Sequence, residues 1–596
     1  MLFVNTIIFS LAAAAVTATA VRQETTNGKA SLSVDLGYSV YSGVKNTTFG
    51  INSWKGIRYA APPTGPLRWQ PPQRPANNRT GVIHASAFPP SCPQSPPGNP
   101  GPPITAADLV GQEDCLFLSV YAPENITKKL PVLVWIHGGG YGAGDGTQDL
   151  SAIIKANSHG FVGVAIQYRL GAFGFLSSDE VHRLGVDNAG LLDQNFALQW
   201  IQKYISEFGG DPRRVTIAGE SAGGGSVMLQ AMSYGGRQGT SLFQNVIAAS
   251  PYLPLQYGYA DNVTSQGRIM LSLVLLAVIP GSKFASVFDC LVKADSEILK
   301  LASAHVSAAG RYLTWGFLPV TDGTFVQQTP SQQLLKKQVN GLNLLVGTNS
   351  NERVLFVQQN VETEADFEAF VQSIFPTMSE SDIEKVLLHY PSMSNTTNPT
   401  APLFSTNGIS GPTAMNQGGV ATGQNQRANN LYAETTFVCP AYWMAEAFSN
   451  RARSSFKYEF SVLVAVHGED IVGYFGPSGG SMSPDFMKAF MSIWGNFIIG
   501  GDPSITNALA NGISSNSNTP NPASHWPPFT IANPMQIVLN ITGGIPTSVP
   551  GLAVNVTEMF GPGLKNHFTI ANAYSWEGGR GARCDFLRSI AAAIPE

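Results

Sequence analysis

Charged residues are scarce in this sequence. Asp, Glu, Lys and Arg make up 12% of its 596 residues, against about 25% in a typical soluble protein. The formal net charge is −4 at pH 7, so the chain lacks the basic surface through which proteins bind nucleic acids or anionic membranes. A surface with so few charges needs another source of solubility, and N-linked glycans would provide one.

Patterns that bind metals are absent as well. None of the five cysteines forms a C-x-x-C pair, and the nine histidines lack a ligand spacing such as H-x-x-x-H. We therefore expect no metal site and no other cofactor. Five cysteines suit an oxidising compartment, and their odd number leaves at least one of them free or paired outside the chain.

Long apolar runs occur only near the N-terminus. The run 2–20 ends in Ala18-Thr19-Ala20, a small-x-small cleavage pattern. We expect residues 1–20 to be a signal peptide and 21–596 a single secreted domain, without a stable membrane anchor because no later run reaches ~18 residues. The longest later run, 271–279, is typical of a buried helix. The N-x-S/T sequons that become glycosylation candidates in a secreted chain are Asn46, Asn78, Asn125, Asn262, Asn395, Asn540 and Asn555.

Short β-branched runs recur along the chain, with helical patterns such as 195–210 between them. The runs are 131–136, 162–166, 214–218, 245–249, 342–347 and 458–466. Because they show no polar alternation, we expect them to be central strands covered on both faces. Strands that alternate with helices predict an α/β fold with a mostly parallel sheet. The segment between 249 and 342 is largely helical in pattern, as in inserts that cover the carboxyl edge of a sheet.

One glycine-rich stretch has the features of a nucleophile elbow. Gly219-Glu220-Ser221-Ala222-Gly223 follows the run 214–218 and precedes an apolar helical pattern. A nucleophilic serine on a sharp strand-to-helix turn needs small neighbours, and its hydroxyl projects at a helix N-terminus that favours negative charge. A nucleotide-binding loop would need different glycine spacing. The context therefore favours Ser221 as a nucleophile.

A second glycine run follows the strand 131–136. His137-Gly138-Gly139-Gly140-Tyr141 can turn backbone N–H groups towards a substrate oxygen, which side chains would obstruct. A glycine-rich hairpin is the alternative interpretation. Two such runs, each at the end of a buried strand, favour an oxyanion hole paired with a nucleophile.

The remaining triad members should follow the serine in the order acid, then histidine. His467 comes after the run 458–466 and precedes Gly468, which suits a base on a loop at the sheet edge. Glu352 follows the strand 342–347, whereas Asp322 precedes a glycine as residues in plain turns often do. Spacing alone favours Glu352 over Asp322 without deciding between them.

Taken together, these stretches resemble the type-B carboxylesterases, which include the cholinesterases and a group of fungal lipases. The resemblance spans about residues 33–590. The blocks that carry it include GIRYAAPPTGPLRW (56–69), EDCLFLSVY (113–121), WIHGGGY (135–141), FGGDPRRVTIAGESAGG (208–224) and HGEDIVGYFG (467–476). It implies an α/β-hydrolase fold with helices on both faces of a large sheet and helical inserts over the active-site edge.

The resemblance also implies roles for individual residues. The family's acid is a glutamate in a pattern similar to GTNSNERVLF (347–356), which favours Glu352, although Arg353 stands where a glycine is usual. The oxyanion donors would be the backbone N–H groups of Gly139, Gly140 and Ala222. Glu220, beside the nucleophile, would line the site without reacting.

Disulfides and ion pairs are implied in the same way. The resemblance pairs Cys92 with Cys115 and Cys439 with Cys584, and it leaves Cys290 as a free, buried thiol. The pairs Arg68–Glu113 and Arg169–Asp193 would be structural.

The loop between Cys92 and Cys115 bears on the substrate. Its 22 residues contain no aromatic side chain, whereas cholinesterases bind quaternary ammonium there through a tryptophan. Proline and glycine also interrupt it, unlike the amphipathic lids of the lipases. We expect a serine esterase for soluble or moderately hydrophobic esters. The alternatives are a lipase or sterol esterase, or a non-catalytic adhesion protein of the same fold. Trp315 and Phe317 are aromatic residues that either line the ester pocket or, as the more common case, belong to the core.

Two further glycines follow the elbow. Gly224 and Gly225 would lie in the first turns of a helix, where each costs about 1 kcal/mol relative to alanine. We expect them because that helix packs closely against the oxyanion loop.

Overall fold

The structure is a computed structural model of the chain. It describes residues 32–99, 101–102, 104–261, 286–352, 356–358, 360–391, 423–476, 482–512, 519–551 and 554–596. The expected signal peptide, the apolar run 271–279, Arg353 and the sequons at Asn262 and Asn395 lie outside these residues.

The described strands and helices alternate through most of the chain. The strands are β1 (Ser33–Asp35), β2 (Ser39–Ser42), β3 (Val44–Asn46), β4 (Ile51–Arg58), β5 (Asn78–His84), β6 (Phe117–Pro123), β7 (Leu130–Ile136), β8 (Val162–Ile166), β9 (Gly210–Glu220), β10 (Asn245–Ala249), β11 (Asn343–Asn349), β12 (Ser454–Phe460), β13 (Met535–Thr542), β14 (Ile545–Gly551), β15 (Val554–Phe560) and β16 (Lys565–Asn572). The α-helices are α1 (Ser151–Ala156), α2 (Gly171–Phe175), α3 (Asp179–Leu184), α4 (Ala189–Tyr204), α5 (Ala222–Met232), α6 (Val287–Lys293), α7 (Ser296–Ala308), α8 (Pro330–Leu335), α9 (Glu364–Ile374), α10 (Glu380–His389), α11 (Gly423–Ala433), α12 (Cys439–Phe448), α13 (Asp470–Phe475), α14 (Pro484–Gly500), α15 (Asn507–Asn511) and α16 (Trp576–Ser589).

A large mixed sheet forms the centre of the protein. Its 11 strands have the order β16-β13-β12-β11-β10-β9-β7-β8-β6-β4-β3. The strands from β8 to β13 pair in parallel, and antiparallel pairs occur at the two edges. Apolar clusters cover both faces, which is why the central strands show no polar alternation. The expected mostly parallel α/β sheet is therefore present.

The parallel strands bring the predicted site residues to one edge. Ser221 follows β9 directly, and Gly139 and Gly140 follow β7 within four residues. Glu352 comes three residues after β11. Carboxyl ends of neighbouring parallel strands meet at the same edge of an open sheet, where α/β proteins place their ligands.

Two predicted boundaries are wrong. The strand expected over 458–466 ends at Phe460, because β13 pairs only with its residues up to Phe460. The apolar residues Val462 and Ala465 are buried by packing instead. The helix expected over 195–210 is α4, which begins earlier, at Ala189, and continues after Tyr204 as a short 3-10 turn.

Both expected disulfides are formed. Cys92 bonds to Cys115, and Cys439 at the start of α12 bonds to Cys584 in α16 across 145 residues of sequence. A crosslink that closes so long a loop stabilises by roughly 4–5 kcal/mol in the chain-entropy description. Cys290 is free and buried, as expected.

The two expected ion pairs are also formed. The guanidinium of Arg68 donates to both carboxylate oxygens of Glu113, at 2.6 and 2.7 Å. Arg169 binds Asp193 in the same bidentate way, with 2.7 Å for each bond. Both pairs are buried, and breaking a buried pair on one side costs about 3–5 kcal/mol. They hold loops of the fold together.

The described sequons differ in exposure. Asn78 and Asn125 are exposed and Asn46 is half-buried, whereas Asn540 in β13 is buried with 7% of its surface accessible. Asn555 lies in β15. Among the described residues, no helix has both the length and the apolar character needed to cross a membrane.

Candidate active site

Ser221 occupies the sharp turn between β9 and α5. Its φ is 58° and its ψ is −126°, a strained conformation for a residue with a side chain. The turn is possible because the residues two positions before and after the serine are glycines. A Cβ on Gly219 would lie 2.3 Å from the carbonyl carbon of Gly223, and a Cβ on Gly223 would lie 2.1 Å from the carbonyl oxygen of Ile136. The sequence therefore requires glycine on both sides of the serine.

A histidine and a glutamate complete a hydrogen-bonded row with this serine. The Nε2 atom of His467 lies 2.8 Å from Ser221 Oγ, and its Nδ1 atom lies 2.6 Å from Glu352 Oε2. Glu352 is 1% exposed. The other carboxylate oxygen, Oε1, accepts hydrogen bonds from Ser250 Oγ and from the backbone N–H of Asn349, each at 2.6 Å.

Asp322, the alternative acid, lies elsewhere. Its carboxylate accepts bonds from the amide of Asn188 and from the backbone N–H groups of Thr324 and Val326. These contacts cap a turn, as its Asp-Gly sequence indicates. Of the two acidic residues considered, Glu352 alone contacts the histidine.

The loop after β7 brings backbone N–H groups to the serine. Gly139 and Gly140 have φ values of 101° and 63°, which favour glycine. Neither their N–H groups nor that of Ala222 donates to any residue that the structure describes. Ala222 is the first residue of α5, and the first N–H groups of a helix have no partner within it. This loop and the start of α5 thus contain three N–H donors without an acceptor among the described residues, and the loop meets the serine at Gly138, where a Cβ would lie 3.0 Å from Ser221 Cβ.

The packing expected for the elbow helix is partly correct. A Cβ on Gly225 would lie 2.4 Å from the Tyr141 hydroxyl of the oxyanion loop and 2.1 Å from the carbonyl oxygen of Tyr252. A Cβ on Gly224 would lie 2.4 Å from the carbonyl oxygen of Ala249. The helix is closely packed, but more against the segment after β10 than against the oxyanion loop.

Glu220 also contacts the histidine. Its Oε1 atom lies 3.3 Å from His467 Nε2, and the residue is 4% exposed. Burial raises the pKa of Glu220 to about 8, with His467 opposing the shift and the carboxyl groups of Asp470 and Glu352 adding to it. Burial alone would lower the pKa of His467, but Glu220 and Glu352 outweigh it and raise that pKa to about 9.

Several residues of the site carried no signal in the sequence. Asp470, 1% exposed, accepts a bond from Asn349 Nδ2, and burial raises its pKa to about 7, with Glu352 as the next cause. The ring of Phe437, in a π-helical turn (Glu434–Val438), lies 4.4 Å from the His467 ring. A π-helical turn is a frequent feature of functional sites, but it is visible only in the structure. Of these residues, only Ser250 could have been identified from the sequence, because it lies directly after β10 at a strand end.

The arrangement can perform acyl transfer. A hydroxyl next to an imidazole, an acid behind the imidazole and free N–H donors beside the hydroxyl are the parts that nucleophilic attack on a carbonyl requires. Among the described residues, no group of three or more His, Cys, Asp or Glu side chains is arranged so that it could hold a metal ion.

The chain is similar to known carboxylesterases. The model of the Carboxylesterase family matches residues 36–545. The chain is 30% identical over 502 residues to carboxylesterase patB of Penicillium expansum, an alignment that covers 76% of this chain and 84% of that protein. It is 35% identical over 321 residues to para-nitrobenzyl esterase of Bacillus subtilis (strain 168), with 53% of this chain and 62% of that protein covered.

Solved structures show the same architecture. The crystal structure of Aspergillus niger EstA superposes with a TM-score of 0.71 at 24% identity and covers 95% of this chain and 99% of its own. A PNB esterase superposes with a TM-score of 0.64 at 26% identity, with 85% and 95% covered.

Proposed function

This chain belongs to the carboxylesterase family, with an α/β-hydrolase fold, and is a carboxylic ester hydrolase; we propose that it works through an acyl-enzyme on Ser221, with His467 as the base and Glu352 as the acid. The observation that carries the proposal is the row of short contacts from Ser221 Oγ through His467 to Glu352.

In the first half of the reaction, His467 Nε2 accepts the proton of Ser221 as the hydroxyl oxygen attacks the ester carbonyl. Glu352 holds the imidazole in the required tautomer and stabilises its positive charge. Because Ser250 and Asn349 hold the other carboxylate oxygen, the acid is fixed in position before the substrate binds.

The carbonyl oxygen becomes negative in the tetrahedral intermediate. The N–H groups of Gly139, Gly140 and Ala222 would bind this oxygen, each contributing about 3 kcal/mol to the barrier reduction. His467 then gives its proton to the departing alcohol, which leaves the acyl group on Ser221. Water, deprotonated by His467, hydrolyses this acyl-enzyme and regenerates the serine.

We infer that the substrates are soluble or moderately hydrophobic esters, because the loop between the first two cysteines does not resemble a movable lid. The N–H of Gly98 donates to the carbonyl of Thr314, and the N–H of Leu313 donates back to Gly98. The N–H of Ser95 donates to Gly142, beside the oxyanion glycines. Because these hydrogen bonds hold the loop to the segment 313–314 and to the oxyanion loop, it has little freedom to open at an oil surface.

We also propose that the protein is secreted, with residues 1–20 as a signal peptide and 21–596 as one domain. Two disulfides among the described residues suit an oxidising compartment. Exposed sequons at Asn78 and Asn125 would accept glycans. Peptide mapping of the secreted protein tests the cleavage and the glycans. A mature chain that retains residues 1–20 would contradict the signal peptide.

Two experiments test the catalytic and substrate proposals. Labelling with a fluorophosphonate, followed by mapping of the adduct, should place it on Ser221; an adduct elsewhere contradicts the mechanism. Hydrolysis of short- and long-chain p-nitrophenyl esters should follow the dissolved substrate concentration. A sharp rise in rate once emulsion forms would indicate a lipase instead.

A further inference from the structure

An internal space lies next to Tyr252, which is hydrogen-bonded to the nucleophile. It is a cavity of about 360 Å³, within the range of small-molecule sites. Most of its wall is apolar, although the polar side chains of Arg311, Thr314, Thr435 and Thr436 also line it. Residues that form this wall include Leu253, Pro254, Phe317, Leu318, Ile374 and Phe375.

The cavity begins one side chain away from the reacting atoms. Tyr252 and Trp315 line it, with ring centres 5.9 Å apart. The N–H of Tyr252 donates to the carbonyl of Ser221 at 3.0 Å. The indole of Trp315 covers the oxyanion loop, since a Cβ on Gly140 would lie 2.1 Å from that ring. These two aromatic rings are therefore shared by the site and the cavity.

A carboxyl oxygen without a partner among the described residues lies in the cavity wall. Glu596 lines the cavity and is 2% exposed, and its Oε2 atom makes no hydrogen bond with the residues that the structure describes. Its backbone carbonyl accepts bonds from the N–H and the hydroxyl of Ser331. The main chain is thus anchored while Oε2 of the buried carboxyl group is unpaired among the described residues, an arrangement that costs free energy unless a partner binds there.

One wall of the cavity runs from Tyr252, which is hydrogen-bonded to Ser221, towards Glu596. The wall between them follows the chain from Tyr252 to Gln256, whose N–H donates to the carbonyl of Pro595. Four residues span at most about 14 Å. At the near end of the cavity, the buried Nε1 of Trp315 also lacks a hydrogen-bond partner among the described residues. Two buried polar atoms of the cavity wall, Trp315 Nε1 and Glu596 Oε2, therefore lack a partner among the described residues.

We propose that this cavity receives the longer organic group of the ester and that Glu596 binds a hydroxyl group carried near its far end. The inference rests on the proposed function of Ser221. It defines the substrates as esters of a hydroxylated apolar acid or alcohol.

A hydroxyl fits this position better than an ammonium group. Burial raises the pKa of Glu596 well above its usual range, which favours the neutral acid, a form that can both donate and accept hydrogen bonds. Moving an ammonium ion into apolar walls costs several kcal/mol before any pairing. A neutral hydroxyl avoids most of this cost and still satisfies the carboxyl group.

The test compares matched esters with and without the hydroxyl. One series contains p-nitrophenyl esters of straight-chain acids from hexanoate to dodecanoate with their ω-hydroxy counterparts, and the other contains acetates of the matching alcohols and diols. For the series whose group enters the cavity, we expect kcat/KM to favour the hydroxylated ester about five- to tenfold at the best chain length. No preference in either series would overturn the proposal, and so would a preference for ω-ammonium esters.

Two variants assign the preference to the carboxyl group. Glu596→Leu should abolish or reverse the ratio between hydroxylated and plain esters, whereas Glu596→Gln, which keeps donor and acceptor atoms, should retain most of it. Glu207→Leu, at an exposed glutamate, is the matched control and should leave the ratio unchanged. An unchanged ratio in Glu596→Leu overturns the proposal.

Failure of this inference is distinguishable from failure of the proposed function. Fluorophosphonate labelling of Ser221 in each variant checks that the protein is folded and reactive. Labelled protein with no hydroxyl preference contradicts only the role of Glu596. Wild-type protein that is labelled at another residue contradicts the function of Ser221 itself.

Discussion

Two clusters of buried ionisable groups lie close together and differ in their balance of charge. The site cluster consists of Glu220, Glu352, Asp470 and His467, with three carboxyl groups around one imidazole. The arginine cluster consists of Glu434, Glu459, Arg580 and Arg583, with two of each sign. All seven carboxyl and guanidinium groups belong to residues less than 5% exposed. Ser350 links the clusters. It lies two residues before the acid Glu352 in the chain, and its hydroxyl donates to Glu459.

The pKa values of the carboxyl groups shift in opposite directions in the two clusters, although the groups are similarly buried. In the arginine cluster, burial alone would raise the pKa of Glu434, but Arg583 and Arg580 outweigh it and lower that pKa. In the site cluster too few positive charges are present, and the pKa values of Glu220 and Asp470 rise to about 8 and 7. A balanced cluster therefore keeps fixed charges, whereas an excess of acid keeps protons exchangeable near neutral pH. The first arrangement suits structure and the second suits catalysis.

Removal of the nucleophile should have the largest effect. Ser221→Ala leaves both clusters intact and should reduce kcat by about 10⁶-fold, with the thermal midpoint unchanged. Hydrolysis of p-nitrophenyl acetate measures the loss. Ser241→Ala, at an exposed serine, is the control and should behave as wild type. Normal turnover by Ser221→Ala would refute the mechanism.

Neutralisation of the acid should have the next largest effect. Glu352→Gln keeps the shape of the side chain but removes the charge that orients His467, so kcat should fall by about 10⁴-fold. Asp322→Asn serves as the control, because Asp322 caps a turn and binds Asn188 without contacting His467, and it should keep activity within about tenfold of wild type. The reverse result would make Asp322 the acid. Steady-state kinetics on one short ester decides between them.

The arginine cluster should respond in stability instead of activity. Glu434→Gln leaves Arg580 and Arg583 with too little negative charge and should lower the free energy of unfolding by about 3–5 kcal/mol. The folded fraction should keep its kcat/KM. Urea unfolding measures the first quantity and active-site titration the second. An unchanged midpoint would show that the ion pairs of Glu434 contribute little.

The parts of the site that the sequence predicts are those at strand ends. Ser221, Gly139, Gly140 and Glu352 each follow a run of buried β-branched residues, and such runs are local signals that need no knowledge of the fold. His467 lies between Ser221 and Glu352 as expected from its position, although the strand predicted before it ends earlier. The apolar run before it has the composition of a strand, whether its residues form β-sheet hydrogen bonds or are only buried in the core.

Other parts depend on contacts between distant residues. Asp470 matters because Glu352, Asn349 and His467 come together around it, and its own sequence context shows only an acid at the start of a helix. Glu596 meets Ser331 across 265 residues, a contact that no local pattern contains. Burial and charge balance are properties of the folded chain, so the difference between the two clusters was not predictable.

Removal of the second carboxyl group near His467 should have the smallest effect. The base must be neutral to accept a proton, so kcat/KM should rise with pH as His467 loses its proton. That pKa lies above 6.5, at about 9, partly because of Glu220. Glu220→Gln removes one group that raises it, so the pKa should fall and the acid limb of the profile should move to lower pH. Each unit of movement changes the rate below the limb about tenfold.

The direction of this shift separates two roles for Glu220. A group that only fills space would lower kcat/KM equally at every pH, and the limb would stay in place. A group that acts on His467 through its charge moves the limb and leaves the plateau nearly unchanged. Glu207→Gln, at an exposed glutamate away from the site, controls for the loss of one negative charge. A limb that moves to higher pH would contradict the account of the site cluster, because fewer acids around one imidazole must weaken its hold on the proton.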